Sequence, residues 1–172
     1  MTRRSTLPTP QTPPGGVVRY RDRIFDDLRH DPYQAKGKYK ERAACSDCGA
    51  VFRRGRWQWG TVPNDALAVL CPACKRVRDE LPAGYLTIEG DVIDAHRDEL
   101  LRLVRNEAER ERSDHALHRI IAIDAGPARI LVTTTDVHLP RRIGHALESA
   151  YGGHLDLRYG EDEYSLRAHW QR

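Results

Sequence analysis

Two matched pairs of cysteines constrain the fold of this chain more than any other feature of its sequence. Cys45 and Cys48 are separated by two residues, and so are Cys71 and Cys74. Such pairs turn their thiolates toward one point, and two pairs supply the four soft ligands that tetrahedral zinc prefers. We therefore predict one structural zinc ion, held by all four cysteines.

Two other interpretations of these cysteines are open: two disulfides, or thiols that are unrelated to one another. Paired two-residue spacing favours a metal site in an intracellular protein, and a redox pair is less favoured because there are two matched copies. A site with four protein ligands leaves no position for water or substrate. The predicted metal should therefore stabilise the fold and take no part in chemistry.

The charge of the chain is divided unevenly along its length. Residues 1–60 contain 13 Lys or Arg and 6 Asp or Glu, which gives a net charge of +7. Residues 61–172 contain 15 Lys or Arg and 19 Asp or Glu, which gives a net charge of −4. The two net charges sum to the +3 of the whole chain. A basic segment beside a metal module predicts a polyanionic partner, most often nucleic acid. The alternative is that these cations only keep a small surface soluble.

The sequence gives no sign of a membrane-spanning or secreted protein. It has no apolar run of the roughly 18 residues that a membrane span needs, and its first residues lack the apolar core of a secretory signal. We therefore expect a cytoplasmic location and no membrane partner.

Changes in composition divide the chain into four segments. Residues 1–16 are rich in proline and glycine and predict a disordered tail, and residues 17–42 form a basic arm with interleaved aromatic residues. Residues 43–84 form the zinc module, of zinc-ribbon or treble-clef type, and residues 85–172 form an α+β domain. We expect residues from about 114 onward to keep their own core when the metal is lost.

The arm and the metal module both carry side chains that suit RNA. Cations can meet phosphates and aromatic rings can stack on bases, which is the mixture that single-stranded RNA binding uses. The predicted RNA contacts are Arg21, Arg23, Lys36, Lys38, Tyr39, Lys40, Arg53, Arg54, Arg56 and Trp57. The arm could instead pack on its own zinc module, with Tyr33 and Tyr39 as anchors, and the two interpretations are compatible.

Within the metal module, the segment from Ala50 to Trp59 predicts a β-hairpin with an unusually basic turn. The core of the module is too small to fold unaided, so we expect metal binding and folding to be coupled. Three cations after the second cysteine pair are expected to balance part of the negative charge of a zinc tetrathiolate: Lys75, Arg76 and Arg78.

The remaining sequence predicts a helix followed by a ββαββ sandwich, in the α+β class. The segment from Leu81 to Gly84 is interpreted as the seam between the two modules. Asp91 is the expected N-cap of a helix that runs to about Arg112, and Asp136 is the expected cap of a second helix. Alternating apolar residues predict strands at 120–123, 130–134, 155–159 and 164–170.

Motifs of known catalytic sites are missing from this sequence. It contains no Gly-rich phosphate loop, no Gly-x-Ser-x-Gly and no His-Glu-x-x-His. His96, Glu99, His115 and His118 could be imagined as metal ligands, but their spacing fits no recognised motif, and we interpret them as surface or core residues. We predict no catalytic residue, no enzyme activity and no small-molecule substrate.

Three stretches of the chain resemble a known family. They are Lys36-Gly37-Lys38-Tyr39-Lys40-Glu41, then Gly55-Arg56-Trp57-Gln58-Trp59 between the cysteine pairs, and Thr133-Thr134-Thr135-Asp136-Val137-His138-Leu139 followed by Arg141-Arg142-Ile143-Gly144. They resemble small bacterial zinc proteins that are labelled as affecting ribosome stability and mRNA decay, and the resemblance runs from about Arg19 to Trp170. The chain is more distantly similar to part of the archaeal and eukaryotic nonsense-mediated-decay adaptor of the large ribosomal subunit.

This resemblance implies association with the ribosome, its large subunit being the suspected site, or with another RNA. The adaptor's metal region uses more cysteine pairs than this chain has, so the adaptor's role in subunit export is not implied. We predict a non-enzymatic, zinc-containing protein that binds the ribosome or RNA and affects ribosome stability or translation. The alternative is a zinc-containing protein–protein adaptor without direct RNA contact.

Overall fold

A computed structural model describes residues 31–33, 42–160 and 164–172 of the chain. Within these residues it has a mixed α+β fold with three helices and two sheets, which confirms the predicted class. Two groups of predictions lie outside the described residues: the disordered tail at 1–16, and the proposed RNA contacts Arg21, Arg23, Lys36, Lys38, Tyr39 and Lys40.

The first sheet belongs to the cysteine-containing module. Its elements are β1 (Ala43–Cys45), β2 (Val51–Arg53), β3 (Arg56–Gln58), β4 (Leu67–Val69) and a short helix α1 (Pro72–Arg78). The strand order is β3-β2-β1-β4, with β4 parallel to β1. The predicted hairpin is confirmed as β2 and β3, and Arg54 and Gly55 make its turn with φ of 51° and 78°.

Three elements of this module were not predicted from the sequence. Strands β1 and β4 each have only three residues, which is too short for an alternating pattern to be recognised. Helix α1 has seven residues and begins at Pro72, which is tolerated because the first turn of a helix does not use its N–H groups. The cysteine pairs therefore indicated the module. The short strands β1 and β4 form because they pair with one another, and β1 also pairs with β2.

The second sheet forms the rest of the described fold. Its elements are β5 (Gly84–Glu89), α2 (Val92–Asp114), β6 (Ile120–Ala125), β7 (Arg129–Thr134), α3 (His138–Tyr151), β8 (His154–Tyr159) and β9 (Leu166–Gln171). The strand order is β6-β7-β5-β9-β8. Strand β5 lies at the centre, antiparallel to β7 and parallel to β9.

The predicted ββαββ sandwich is not confirmed, because the sheet has a fifth strand that precedes its first helix. Strand β5 begins at Gly84, the residue that the sequence assigned to a seam between modules. Its residues alternate between buried and half-buried, as expected for a strand with one face on the core. The four other strands lie where the sequence predicted them.

Helices α2 and α3 pack on one another and on one face of this sheet. Their core is distinct from the cluster around the cysteines. Its largest fully buried side chain is Trp170 of β9, whose Nε1 donates a hydrogen bond to the carbonyl oxygen of Gly152 at 2.9 Å. This core is larger than the one expected of residues 114 onward, because it also includes Leu86 and Ile88 of β5 and buried residues of α2. Its persistence without the metal stays a prediction.

The two predicted helix caps differ in how they act. Asp136 Oδ1 accepts hydrogen bonds from the backbone N–H groups of His138 and Leu139 at 2.7 and 2.9 Å, so it caps α3 as expected. Asp91 stands at the start of α2, but its side chain makes no capping hydrogen bond.

None of the helices that the structure describes is both long and apolar enough to cross a membrane.

Candidate metal centre

The structure brings the four cysteines into one cluster. Their Sγ atoms all lie within 4.8 Å of one another, and the Sγ atoms of Cys48 and Cys71 are 3.8 Å apart. Two sulfurs bound to one tetrahedral ion at about 2.3 Å would be separated by roughly 3.8 Å, so this spacing fits a shared metal ion. It is far too long for a disulfide, and all four thiols are free. The cluster could therefore coordinate one metal ion.

Local backbone geometry turns each pair toward the same point. After the first pair, Gly49 has a φ of 76°, and its N–H donates to the carbonyl oxygen of Cys45 at 3.0 Å. Cys71 caps α1, and its Sγ accepts a hydrogen bond from the N–H of Cys74 at 3.4 Å. Sγ of Cys45 accepts one from the N–H of Cys71, also at 3.4 Å, which links the two pairs.

The thiols differ in how readily they lose a proton. Burial alone would raise the pKa of Cys45, but hydrogen bonds from backbone N–H groups outweigh it and lower that pKa to about 6. Burial raises the pKa of Cys74 to about 11, and it also raises the pKa of Cys71. Because a metal binds the thiolate form, metal binding must release the protons of Cys71 and Cys74, and metal affinity should increase with pH.

Arg119 is a second component of this site, and the sequence analysis missed it. It lies just before β6, and its guanidinium group donates to Sγ of Cys48 at 2.9 Å and to Sγ of Cys74 at 3.3 Å. Burial alone would lower the pKa of Arg119, but its hydrogen bonds to Cys48 and Cys74 outweigh burial and raise that pKa. Four thiolates around a divalent ion carry an excess charge of −2, and this arginine offsets part of it.

Three cations after the second cysteine pair, Lys75, Arg76 and Arg78, were expected to balance part of the charge of the site, and two of them have other partners. Arg76 is buried and pairs with Asp31 at 2.6 Å, and Arg78 pairs with Asp47 at 2.9 Å. Thus two of these three side chains pair with carboxylates, whereas the cation on the sulfurs comes from the α+β domain.

Residues around Arg119 attach the cysteine cluster to the α+β domain. Ala116 and Leu117 belong to the apolar cluster that contains the cysteines. Trp59 of the metal module donates a hydrogen bond from Nε1 to the carbonyl oxygen of Arg112 at 2.6 Å. The guanidinium groups of Arg112 and Arg119 lie 5.7 and 5.8 Å from the centre of its ring, within the range of cation–π attraction. The metal site is thus part of the contact between the two modules.

We predict that Arg119→Gln weakens metal binding by about 10–100-fold, the usual effect of losing a group that supports metal ligands. The substitution places a shorter, neutral side chain there, which removes both the positive charge and the hydrogen bonds to Sγ of Cys48 and Cys74. Competition with a chelator measures the affinity. The matched control is Arg110→Gln, which removes an exposed arginine that pairs with Glu107. Equal affinities of the two variants would show that the Arg119 charge does not support the site.

Four of the predicted RNA contacts lie in the described part of the chain, on the hairpin of β2 and β3. Arg53, Arg54 and Arg56 are exposed around its turn. Nη2 of Arg53 donates to the carbonyl oxygen of Thr61 at 2.8 Å, which fixes that side chain along the hairpin. The Trp57 ring is half-buried and lies 5.6 Å from the Phe52 ring, so it contributes to the core of the module as well as to its surface.

One anchor of the predicted arm is also found. The hydroxyl of Tyr33 donates to Asp79 Oδ2 at 2.6 Å, and the guanidinium group of Arg76 lies 4.6 Å from the centre of its ring. Because Asp79 ends α1 and Arg76 belongs to it, Tyr33 packs on the metal module. This is the arrangement expected if the arm folds back on that module, and Tyr39 lies outside the described residues.

The histidines considered as metal ligands fall into two groups, one near the start of α2 and one just after its end. His96 pairs with Glu99 at 3.0 Å near the start of the helix. His115 and His118 lie at its other end, where their partner is Glu111. The sequence interpretation missed Glu111, although its spacing from His115 places both on one face of the helix.

The fold and the site define an α+β protein whose cysteine-rich module contains a candidate metal centre. No protein-family model matches the chain, and no curated protein or solved structure is significantly similar to it. The resemblance to the bacterial zinc proteins therefore stays a prediction.

Proposed function

We propose that this chain is a non-enzymatic, cytoplasmic zinc protein that binds the ribosome or another RNA and affects ribosome stability or translation. The observation that carries the proposal is the exposed basic turn formed by Arg53, Arg54 and Arg56. Guanidinium groups match phosphate geometry and can bind it with two hydrogen bonds at once. A short hairpin presents these three groups together, so they could meet successive phosphates of one strand.

Zinc is the proposed metal because four thiolates in a tetrahedral arrangement favour it over harder divalent ions. The proposed module is of zinc-ribbon or treble-clef type, and its ion has a structural role. In this proposal the metal fixes the hairpin in position, since β2 pairs with β1, which carries Cys45. The chemistry of RNA binding then belongs to the arginines and not to the ion.

The distribution of charge also supports an orientation in which the basic turn faces a polyanion. Residues 1–60 carry a net charge of +7 and residues 61–172 a net charge of −4. An RNA would attract the first part and repel the second, so the metal module should approach it first. Trp57 is half-exposed beside the basic turn and offers one ring for stacking on a base.

We predict that replacing Arg53, Arg54 and Arg56 together with Gln weakens RNA binding and flattens its dependence on salt. Each phosphate contact on a single strand contributes a slope of about −0.7 to the logarithm of the binding constant against the logarithm of salt concentration. Loss of three contacts should therefore reduce the slope by about two units. Titrations of a single-stranded RNA and of purified ribosomes at several salt concentrations measure it.

The matched control replaces Arg102, Arg105 and Arg129 with Gln, which changes the net charge equally at exposed positions of the α+β domain. This control should keep the slope of the unmodified protein. Sedimentation of the tagged protein with polysomes, with and without RNase, identifies the partner in cell extracts. Salt-tolerant binding to one protein, with an unchanged slope in the hairpin variant, would favour the protein–protein adaptor.

A further inference from the structure

A pocket of about 480 Å³ opens where the end of α2 meets the start of α3. Its lining includes His115 and His118 from the segment that follows α2, and His138 from the start of α3. The His115 and His118 rings are stacked with their centres 4.6 Å apart, and His138 lies 5.4 Å from His118. Neutral imidazoles gathered in this way are the commonest ligands of transition metals in proteins.

Glu111 completes a set of three ligand atoms beside these rings. Its Oε1 lies 2.9 Å from Nδ1 of His118 and 3.6 Å from Nε2 of His115, and the three atoms lie within 4.8 Å of one another. Two ligand atoms bound to one tetrahedral ion at about 2.1 Å would be separated by roughly 3.4 Å. The two distances to Oε1 lie on either side of this value, and the shorter one is a hydrogen bond between Glu111 and His118 that a bound ion would replace.

The carboxylate of Glu111 is buried and held in place by an arginine. The residue is 6% exposed. Nη1 of Arg142 lies 2.9 Å from Oε2, so the arginine takes one carboxylate oxygen and leaves Oε1 to face the histidines.

A second carboxylate lies behind His118. Nε2 of His118 is 3.9 Å from Oδ1 of Asp136, which is 4% exposed. Oδ2 of the same residue is buried and has no hydrogen-bond partner among the residues that the structure describes. A histidine that binds a metal through one ring nitrogen usually directs the N–H of the other toward a carboxylate. The Asp136 carboxylate is placed to receive it after a small rotation of the ring.

We propose that Glu111, His115 and His118 bind one divalent transition-metal ion such as zinc. The site is separate from the cysteine cluster and does not depend on the function proposed above. Two imidazoles and one carboxylate leave at least one coordination position open to the pocket, which is the ligand count of catalytic zinc sites and not of structural ones. This second ion could therefore exchange an external ligand, whereas four thiolates would enclose the first ion completely.

The proposal is tested by titrating the full chain, without an affinity tag, with cobalt as a spectroscopic substitute for zinc. Cobalt bound by thiolates has strong sulfur-to-metal absorption, and cobalt bound only by nitrogen and oxygen lacks it. The test variant is His115→Ala, and the matched control is His145→Ala, which removes a histidine of the same pocket that is not one of the three proposed ligands. The side chains of His115 and His145 are 55% and 59% exposed. A ring nitrogen of His115 lies 3.6 Å from a carboxylate oxygen of Glu111, and a ring nitrogen of His145 lies 3.5 Å from one of Glu148.

The unmodified protein and His145→Ala are expected to bind two cobalt ions, of which only one shows sulfur absorption. His115→Ala should keep the sulfur-bound ion and should bind the second ion about 10–100-fold more weakly, or weaker still. Loss of a residue that supports a metal ligand usually lowers metal affinity by about this factor, and loss of a ligand itself should lower the affinity at least as much. The proposal is overturned if the unmodified protein binds no ion outside the thiolates. It is also overturned if His115→Ala and His145→Ala bind cobalt equally well.

Discussion

Replacing Cys48 or Cys71 with serine is expected to remove the metal from the cysteine cluster and to unfold residues from about 43 to 80. The buried members of this module's apolar cluster are small side chains, namely Cys45, Ala50, Cys71, Ala73 and Cys74, with Ala116 from the α+β domain. The larger side chains that pack against them, such as Trp57 and Trp59, are only partly buried. So little apolar area cannot offset the entropy of ordering the module. The apparent free energy of binding structural zinc, about 10–16 kcal/mol, would be lost with the site.

Metal analysis of the purified variants and hydrogen exchange of the backbone amides measure this result. The matched control is Ser46→Ala, an exposed position between the first two ligands that should leave the metal content unchanged. Stoichiometric metal in the Cys48→Ser or Cys71→Ser variant would contradict the predicted ligand set. Metal loss without loss of amide protection would instead show that the module folds on its own.

The second large effect is expected from Trp170→Ala, which should lower the free energy of unfolding of the α+β domain by about 3–5 kcal/mol. Trp170 is fully buried and packs with α2 and α3 on the sheet. Its removal leaves a cavity and also leaves the carbonyl oxygen of Gly152 without its hydrogen-bond donor. Since a domain is usually stable by about 5–15 kcal/mol, this is a large fraction of the total.

Urea unfolding in the presence of zinc measures the change. The matched control is Gln171→Ala, the exposed next residue of the same strand, which should change the free energy of unfolding by no more than about 0.5 kcal/mol. Equal unfolding midpoints for the two variants would show that Trp170 contributes no more than Gln171 to the free energy of unfolding. Metal bound to the folded fraction should be unaffected, because Trp170 and the cysteines belong to separate apolar clusters.

The sequence by itself determined the features that depend on neighbouring residues. Each pair of candidate cysteine ligands follows from a spacing of two residues, which limits where the two thiols of one pair can point. The hairpin of β2 and β3 and the cap of α3 by Asp136 also follow from contacts a few residues apart. In each case the pattern that specifies the structure lies within one short stretch of chain.

Only the tertiary structure decided the features that join distant parts of the chain. Strand β5 is the centre of its sheet because β7 and β9 pair with it, and its own six residues do not indicate that position. Arg119 reaches Cys48 across 71 positions of sequence. Likewise, Asp136 approaches His118 because β6 and β7 pair with Ile120 opposite Thr134. Such contacts arise from burial of the shared core, which brings together side chains that no local pattern relates.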